Sequence, residues 1–155
     1  MRLLILAGGK AKASPEEALT RTYLERAGAL GRKLGLNPIT LSEYGDPRPG
    51  KAGKSSPLLS RVPDGARLIL LDEAGEDLPS AAFAARLRRH LDGGTSDLVF
   101  VIGGADGHDA ELLGQPHEKI ALGRATWPHL LVRAMLAEQI YRALSILSGH
   151  PYHRA

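Results

Sequence analysis

Short apolar runs that break off at glycine or aspartate alternate along this chain with longer amphipathic segments. The runs Arg2–Ala7, Arg67–Leu71 and Leu98–Ile102 consist almost wholly of aliphatic residues. Strands of this kind are typical of a sheet covered on both faces. Two further runs, Pro38–Tyr44 and Lys119–Leu122, are less strictly apolar. The alternation of strands with helices predicts an α/β fold built on a mostly parallel sheet flanked by helices.

The helical segments carry their own start and stop signals. Ser14 precedes Pro15, and Glu17 stands three residues after Ser14, which is the spacing of a capping box. A second helix is expected to open at Ser80 and a third to span His129–Ser148, where Gly149 and Pro151 end it. Side chains at helical spacing are expected to be buried in the first two helices: Leu19, Tyr23, Ala27, Leu30 and Leu34 in the first, and Phe83, Leu87 and Leu91 in the second.

Size and composition restrict the class of protein. The chain has 155 residues, a net charge of +3 and no cysteine, so we expect one domain over residues 1–155, without disulfides or thiolate metal sites. No run is long enough for a membrane span, and the apolar start reaches Gly8 too soon for a signal peptide. We therefore expect a cytoplasmic protein that binds no membrane.

Positive charge is concentrated in two segments. Arg48, Lys51 and Lys54 lie in the loop Asp46–Pro57, which is rich in proline, glycine and serine. The second segment is the terminal His150–Arg154. Such segments suit a surface that contacts nucleic-acid phosphates, and solvated loops that happen to be basic are an equally good explanation.

Three predicted strand ends are candidates for a ligand site. Leu71-Asp72, Gly103-Gly104 and Leu122-Gly123 each end a strand, and ligands of parallel sheets bind beyond the carboxyl ends of strands. Residues 103–107 read GGADG. These glycines allow a ligand to approach the backbone closely, but the spacing is not that of a dinucleotide loop.

Two other patterns suggest chemistry that we do not expect. Residues 6–10 (LAGGK) look like the phosphate loop of nucleotidyltransferases, but the Gly and Arg that follow in those enzymes are missing here. Asp106, His108 and Asp109 look like metal ligands. No second ligand group is visible in the sequence, so a turn that caps the short segment Ala110–Leu113 is the better interpretation, and we expect no metal.

The last predicted helix and the tail behind it carry the remaining polar groups. Glu138 and Arg142 have the i,i+4 spacing of a structural ion pair. The tail His150–Arg154 combines two imidazoles, a phenol and a guanidinium, which are suited to stacking on a base and contacting phosphate. The alternative is that Tyr152 anchors the tail to the fold.

These segments together resemble a known family. The resemblance rests on residues 71–75 (LDEAG), Ser80-Phe83-Ala84, 100–107 (FVIGGADG), 126–133 (TWPHLLVR), 138–143 (EQIYRA) and 150–154 (HPYHR). In this order they are similar to the ribosomal RNA large subunit methyltransferase H family, which methylates N3 of a pseudouridine in 23S ribosomal RNA. The similarity extends over the whole chain and is strongest from Leu68 onward.

The resemblance implies a SPOUT fold with a deep trefoil knot in its C-terminal part, a homodimer, and bent S-adenosylmethionine bound by the knot loops. Ribosomal RNA, in the large subunit or the assembled ribosome, would be the substrate. The implied cofactor-binding residues are Leu71, Gly103, Gly104, Leu122, Gly123, Arg124, Ala125, Thr126 and Trp127. The chain departs from the family at Gly149, where many members have Asn, at Ala105-Asp106, where Pro-Glu is common, and at residues 8–11.

Methylation of a ring N3 requires alignment and removal of a proton, and a cation that stabilises the resulting anion would help. The candidate catalytic residues are His129, Arg133, Tyr152, His153 and Arg154. We favour electrostatic help from Arg133 or Arg154, and each subunit is expected to contribute to the grip on RNA. A non-catalytic RNA- or ribosome-binding module of the same fold is the alternative.

Overall fold

The computed structural model describes residues 1–45, 58–104 and 107–154. The basic loop Asp46–Pro57 and the pair Ala105-Asp106 lie outside the described residues. The strands are β1 (Arg2–Gly8), β2 (Ile39–Tyr44), β3 (Arg67–Asp77), β4 (Asp97–Ile102) and β5 (His117–Ala121), and the helices are α1 (Pro15–Leu34), α2 (Ser80–Asp92), α3 (Ala110–Leu113) and α4 (His129–Ser148), with a 3₁₀ turn at Leu59–Arg61.

The five strands form one sheet in the order β2-β1-β4-β3-β5, and every ladder is parallel. The predicted α/β class and parallel sheet are confirmed. The two central strands, β1 and β4, are in register from the pair Arg2–Asp97 to the pair Ala7–Ile102. Their carboxyl ends, and those of their neighbours, therefore emerge at the same edge.

The two faces of the sheet are covered differently. On one face, α1, α2 and α4 pack over a core that includes Ile5, Phe100 and Leu136. On the other face, Leu58 and Leu112 are among the few side chains that cover the strands. The described part of the chain thus places all of its long helices on one face.

Local signals set both ends of α1, and the start is as predicted. The Ser14 hydroxyl accepts a hydrogen bond from the Glu17 N–H, Pro15 occupies the first turn, and Gly35 ends the helix in the left-handed region. The stripe was wrong at one position, because Leu19 is 45% exposed. It lies in a groove with Tyr23, Leu131 and other side chains.

The strand β3 is longer than predicted and interrupted. Leu71 and Glu76 both face Ile120 of β5, so residues 72–75 bulge out between them. A Cβ on Gly75 would lie 2.6 Å from the Ile120 carbonyl carbon, so only glycine fits there. The strand β5 also begins earlier than predicted, at His117. No helix in the described ranges is long and apolar enough to cross a membrane.

Candidate active site

The three predicted strand ends meet at one cavity of about 550 Å³. The bulge within β3 forms one wall, the glycine turn after β4 forms the second, and the segment that joins β5 to α4 forms the third. Of the predicted cofactor-binding residues, Arg124 alone is missing from its lining. The others line it: Leu71, Gly103, Gly104, Leu122, Gly123, Ala125, Thr126 and Trp127.

The glycine turn after β4 is tightly folded. The N–H of Gly107 donates to the Gly104 carbonyl at 3.0 Å. A Cβ added to Gly103 would lie 2.9 Å from the Gly107 carbonyl carbon, whereas the left-handed φ of +75° belongs to Gly107. Gly103 is therefore required by the turn's own backbone, and Gly107 by its conformation.

The segment between β5 and α4 is held by polar contacts. The Trp127 indole N–H donates to the Leu122 carbonyl at 2.8 Å. The Thr126 hydroxyl donates to Glu73 at 2.8 Å, and the Gly123 N–H donates to Asp77 at 3.3 Å. These contacts fix the segment against the β3 bulge, while the Trp127 side chain stays 41% exposed beside the cavity.

Sequence reasoning missed several side chains of this cavity, among them Asp72, Glu73 and His108. The Ala74 N–H and Lys119 lower the pKa of Asp72, so its carboxylate is ionised at neutral pH. Two of these residues follow Leu71 directly and were predicted only as a strand-to-loop boundary. His108 was considered only as a metal ligand. The predicted cap of α3 is confirmed, because Asp109 accepts from the Leu112 N–H at 2.7 Å.

His108 connects two walls of the cavity. Its Nε2 lies 2.8 Å from the Leu71 carbonyl oxygen at the break in β3. Its Nδ1 is buried and has no hydrogen-bond partner, a state shared in the described ranges only with the Nε atoms of Arg86 and Arg133. Buried polar atoms are nearly always paired.

The predicted catalytic residues do not converge within one chain. His129 lines the cavity at the start of α4. Arg133, one turn further, is 3% exposed and points to the ends of β1 and β2 instead. Its guanidinium donates to the carbonyls of Gly8 and Gly9 at 3.0 and 3.1 Å and pairs with Glu43 at 3.1 Å. In this position, Arg133 ties α4 to the sheet.

The C-terminal tail turns back onto α4. Gly149 has a φ of +70°, a left-handed conformation that Gly and, less often, Asn adopt at the end of a helix. The Tyr152 hydroxyl donates to Glu138 at 2.9 Å, and its ring lies 4.5 Å from the Tyr141 ring. The alternative interpretation of Tyr152, an anchor for the tail, is therefore correct for its position.

The Tyr152 anchor determines where the other tail residues lie. Arg142 pairs with Glu138 as predicted, stacks over the Tyr152 ring and donates to His153 Nδ1 at 3.2 Å. Burial, together with hydrogen bonds to Tyr23 and Glu138, raises the pKa of Tyr152, which stays a neutral donor at physiological pH. Arg154 is exposed. Six positions separate Glu138 from Val132, the last residue of α4 that lines the cavity, so the anchor lies about 9 Å along α4 from the cavity.

Comparisons with known proteins identify relatives over nearly the whole chain. A family model described as "Predicted SPOUT methyltransferase" matches residues 1–153. The chain is 50% identical to the ribosomal RNA large subunit methyltransferase H of Phenylobacterium zucineum, with 99% of both chains covered. It is 49% identical to the protein of the same name from Hyphomonas neptunium, with both chains covered in full. A TrmH/SpoU tRNA modifying enzyme of A. aeolicus is similar at 16% identity and a TM-score of 0.45, covering 96% of this chain and 77% of that chain.

Proposed function

Since this chain belongs to the SPOUT methyltransferase family and to its ribosomal RNA large subunit methyltransferase H members, we propose that it methylates N3 of a pseudouridine in 23S ribosomal RNA. The methyl donor is S-adenosylmethionine, bound in the cavity at the three strand ends. The observation that carries this proposal is the convergence there of the loops that the family resemblance implies.

The cavity has the chemistry that such a ligand requires. It has the size of a small-molecule site, with apolar walls from Ile102, Leu122 and Val132 and bare backbone at the glycine turn. Apolar walls suit the adenine ring, and free backbone groups suit its polar edge. His108 also lines the cavity, and its buried Nδ1 has no hydrogen-bond partner among the described residues.

The chain's own groups must align the base and stabilise its charge. When bound, S-adenosylmethionine supplies an electrophilic methyl group on a sulfonium centre. His129 at the cavity is the imidazole that can accept the N3 proton. Exposed Arg154 is the cation that can stabilise the anionic base, because Arg133 is buried in its contacts with Glu43 and two carbonyls.

A homodimer assembles the complete site in this proposal. Methyl transfer requires the reacting atoms within about 3–3.5 Å, and in one chain the tail is anchored about 9 Å along α4 from the nearest cavity residue of that helix, Val132. A second subunit therefore brings its tail, with Tyr152, His153 and Arg154, to the cavity of the first. The proposal includes the trefoil knot that the family resemblance implies.

The direct test uses ribosomes from a strain that lacks this gene. The purified protein, S-adenosylmethionine carrying a labelled methyl group and those ribosomes should yield one labelled 23S pseudouridine, identified by nuclease mapping and mass spectrometry. Binding of ribosomes without cofactor binding in calorimetry would instead support the non-catalytic module. Labelling of a different nucleoside would contradict the substrate.

A further inference from the structure

The ring of His108 lies in the cavity wall, and its two nitrogen atoms have different surroundings. The carbonyl of Leu71 can only accept, so Nε2, at 2.8 Å, carries the proton of the neutral ring. Nδ1 then holds a lone pair and is an acceptor. The hydrogen bond to Leu71 thereby fixes both the orientation and the tautomer of the ring.

No group of the described chain satisfies this lone pair. Nδ1 is buried and unpartnered, although the ring itself lines the cavity between Leu71 and the glycine turn. A buried acceptor without a donor destabilises a fold. A residue that only filled space, or only joined the two walls, would not need this second nitrogen.

We propose that His108 is a ligand-recognition residue, in which Nδ1 accepts a hydrogen bond from an N–H or O–H donor of the bound nucleoside while Nε2 holds the end of β3. The inference rests on the proposed function, which makes S-adenosylmethionine the ligand. The amine of adenine and the hydroxyls of ribose are donors of this kind. Bound ligand replaces the missing partner, and the unpaired state is confined to the free protein.

Two substitutions separate the two nitrogens. A glutamine amide reaches the place of Nε2, so His108→Gln keeps a donor for Leu71 and loses the acceptor. An asparagine amide ends near Nδ1, so His108→Asn keeps an acceptor and loses the contact with Leu71. Calorimetry with S-adenosylhomocysteine, the demethylated ligand, measures affinity without turnover.

The expected result is asymmetric. His108→Gln should bind S-adenosylhomocysteine about three- to tenfold more weakly than the parent, the effect of one hydrogen bond, and His108→Asn should stay within about twofold. Equal affinity of the parent and His108→Gln would overturn the inference, and so would an equal loss in both variants. Melting temperatures of the free proteins identify any variant that fails to fold.

A second measurement does not depend on substitution. Long-range ¹H–¹⁵N spectra of the histidine-labelled protein should show His108 as the Nε2–H form, with the Nδ1 resonance moving upfield when S-adenosylhomocysteine is added. An unmoved Nδ1 resonance in the saturated complex would contradict the proposal. If the parent protein does not bind S-adenosylhomocysteine at all, the proposed function is wrong. If it binds but shows neither the loss of affinity in His108→Gln nor the shift of Nδ1, only the inference about His108 is wrong.

Discussion

At the residue scale, the glycine turn lines the predicted cavity, but the reason given for its glycines was incomplete. Gly103 was expected to leave room for a ligand or to supply a positive φ. Its φ lies outside the left-handed region, and the atoms nearest to an added Cβ belong to Gly107. The constraint is thus a contact within the protein, which no single sequence reveals.

We predict that Gly103→Ala shifts the turn and weakens S-adenosylhomocysteine binding at least tenfold. The reason is the 2.9 Å approach of the new Cβ to the Gly107 backbone, which must give way. Calorimetry measures the affinity. Gly28→Ala is the matched control, because an added Cβ there meets nothing within 4 Å. Parent-like affinity in folded Gly103→Ala would contradict the placement of the ligand at this turn.

Two residues of the tail should behave differently, because one is anchored and one is exposed. Tyr152→Phe removes the hydrogen bond to Glu138 and should lower the free energy of unfolding by about 1 kcal/mol. Arg154→Ala should leave stability unchanged, weaken RNA binding and reduce its salt dependence by about one phosphate contact. Thermal unfolding and binding titrations at several salt concentrations measure both effects. If Arg154→Ala lowered the stability and left RNA affinity unaltered, Arg154 would be a structural residue and not an RNA contact.

The anchored tail should also contribute to the stability of the fold. A chain that ends at Gly149 loses the packing of Tyr152 on Tyr141 and the contacts with Glu138 and Arg142. Such a truncation should melt below the parent temperature. Its loss of activity alone would therefore not demonstrate a role in RNA recognition, and Arg154→Ala is the more specific test.

At the element scale, periodicity and capping signals predicted the helices better than the strands. The bounds of α4 and α3, and the start of α1, follow from local signals at Pro15, Asp109 and Gly149. The second half of β3 was missed because its residues 72–77 are polar, and only the pairing with β5 makes them a strand. Pairing between distant segments leaves no local pattern in the sequence. The hydrogen bond between His108 and Leu71 could not be predicted for the same reason.

Much of the apolar surface of α4 is covered within one subunit. Leu136, Ile140 and Leu144 are fully buried within a single chain. The argument for a dimer from uncovered apolar surface is therefore weak. The separation of the tail from the cavity is the stronger argument.

The ion pair that holds α4 to the sheet predicts a dependence on pH. Burial alone would raise the pKa of Glu43, but the Ala11 N–H and Arg133 lower it overall. Its contribution is complete above the unfolded pKa and is lost as the pH falls through the lower folded pKa. Glu43→Gln should therefore lower the unfolding free energy by about 1–2 kcal/mol at pH 7 and by less at pH 3–4.

Urea unfolding at both pH values measures this difference. Glu25→Gln on the exposed face of α1 is the control for the change in net charge. If the loss of stability were the same at both pH values, Glu43 would stabilise the fold through packing and not through its charge.

At the scale of the whole molecule, the proposed dimer predicts complementation between two defective subunits. Gly103→Ala should disable the cavity of its own subunit, and Arg154→Ala should disable the tail that it presents to the other. Random mixing of equal amounts leaves half of the dimers mixed, each with one intact site of two, so activity should recover to about a quarter of the parent value.

Co-refolding of the two variants, followed by methylation of ribosomes from the gene-lacking strain, measures the recovery. Each variant alone provides the baseline, and sedimentation at micromolar concentration verifies the dimer. Mixtures no more active than the two variants alone would show that cavity and tail act within one subunit.

The order of strands in the sheet has a consequence for how the chain folds while the ribosome synthesises it. The central partners β1 and β4 are separated by 95 residues between Arg2 and Asp97, and no hairpin joins any pair of strands. At about 5–20 residues per second, β1 waits roughly 5–20 s for β4 to be synthesised. During that time it has only β2 beside it, and its other apolar edge is open to any extended segment nearby. Early translation, more than the finished fold, is the stage at which this chain depends on protection from wrong pairing.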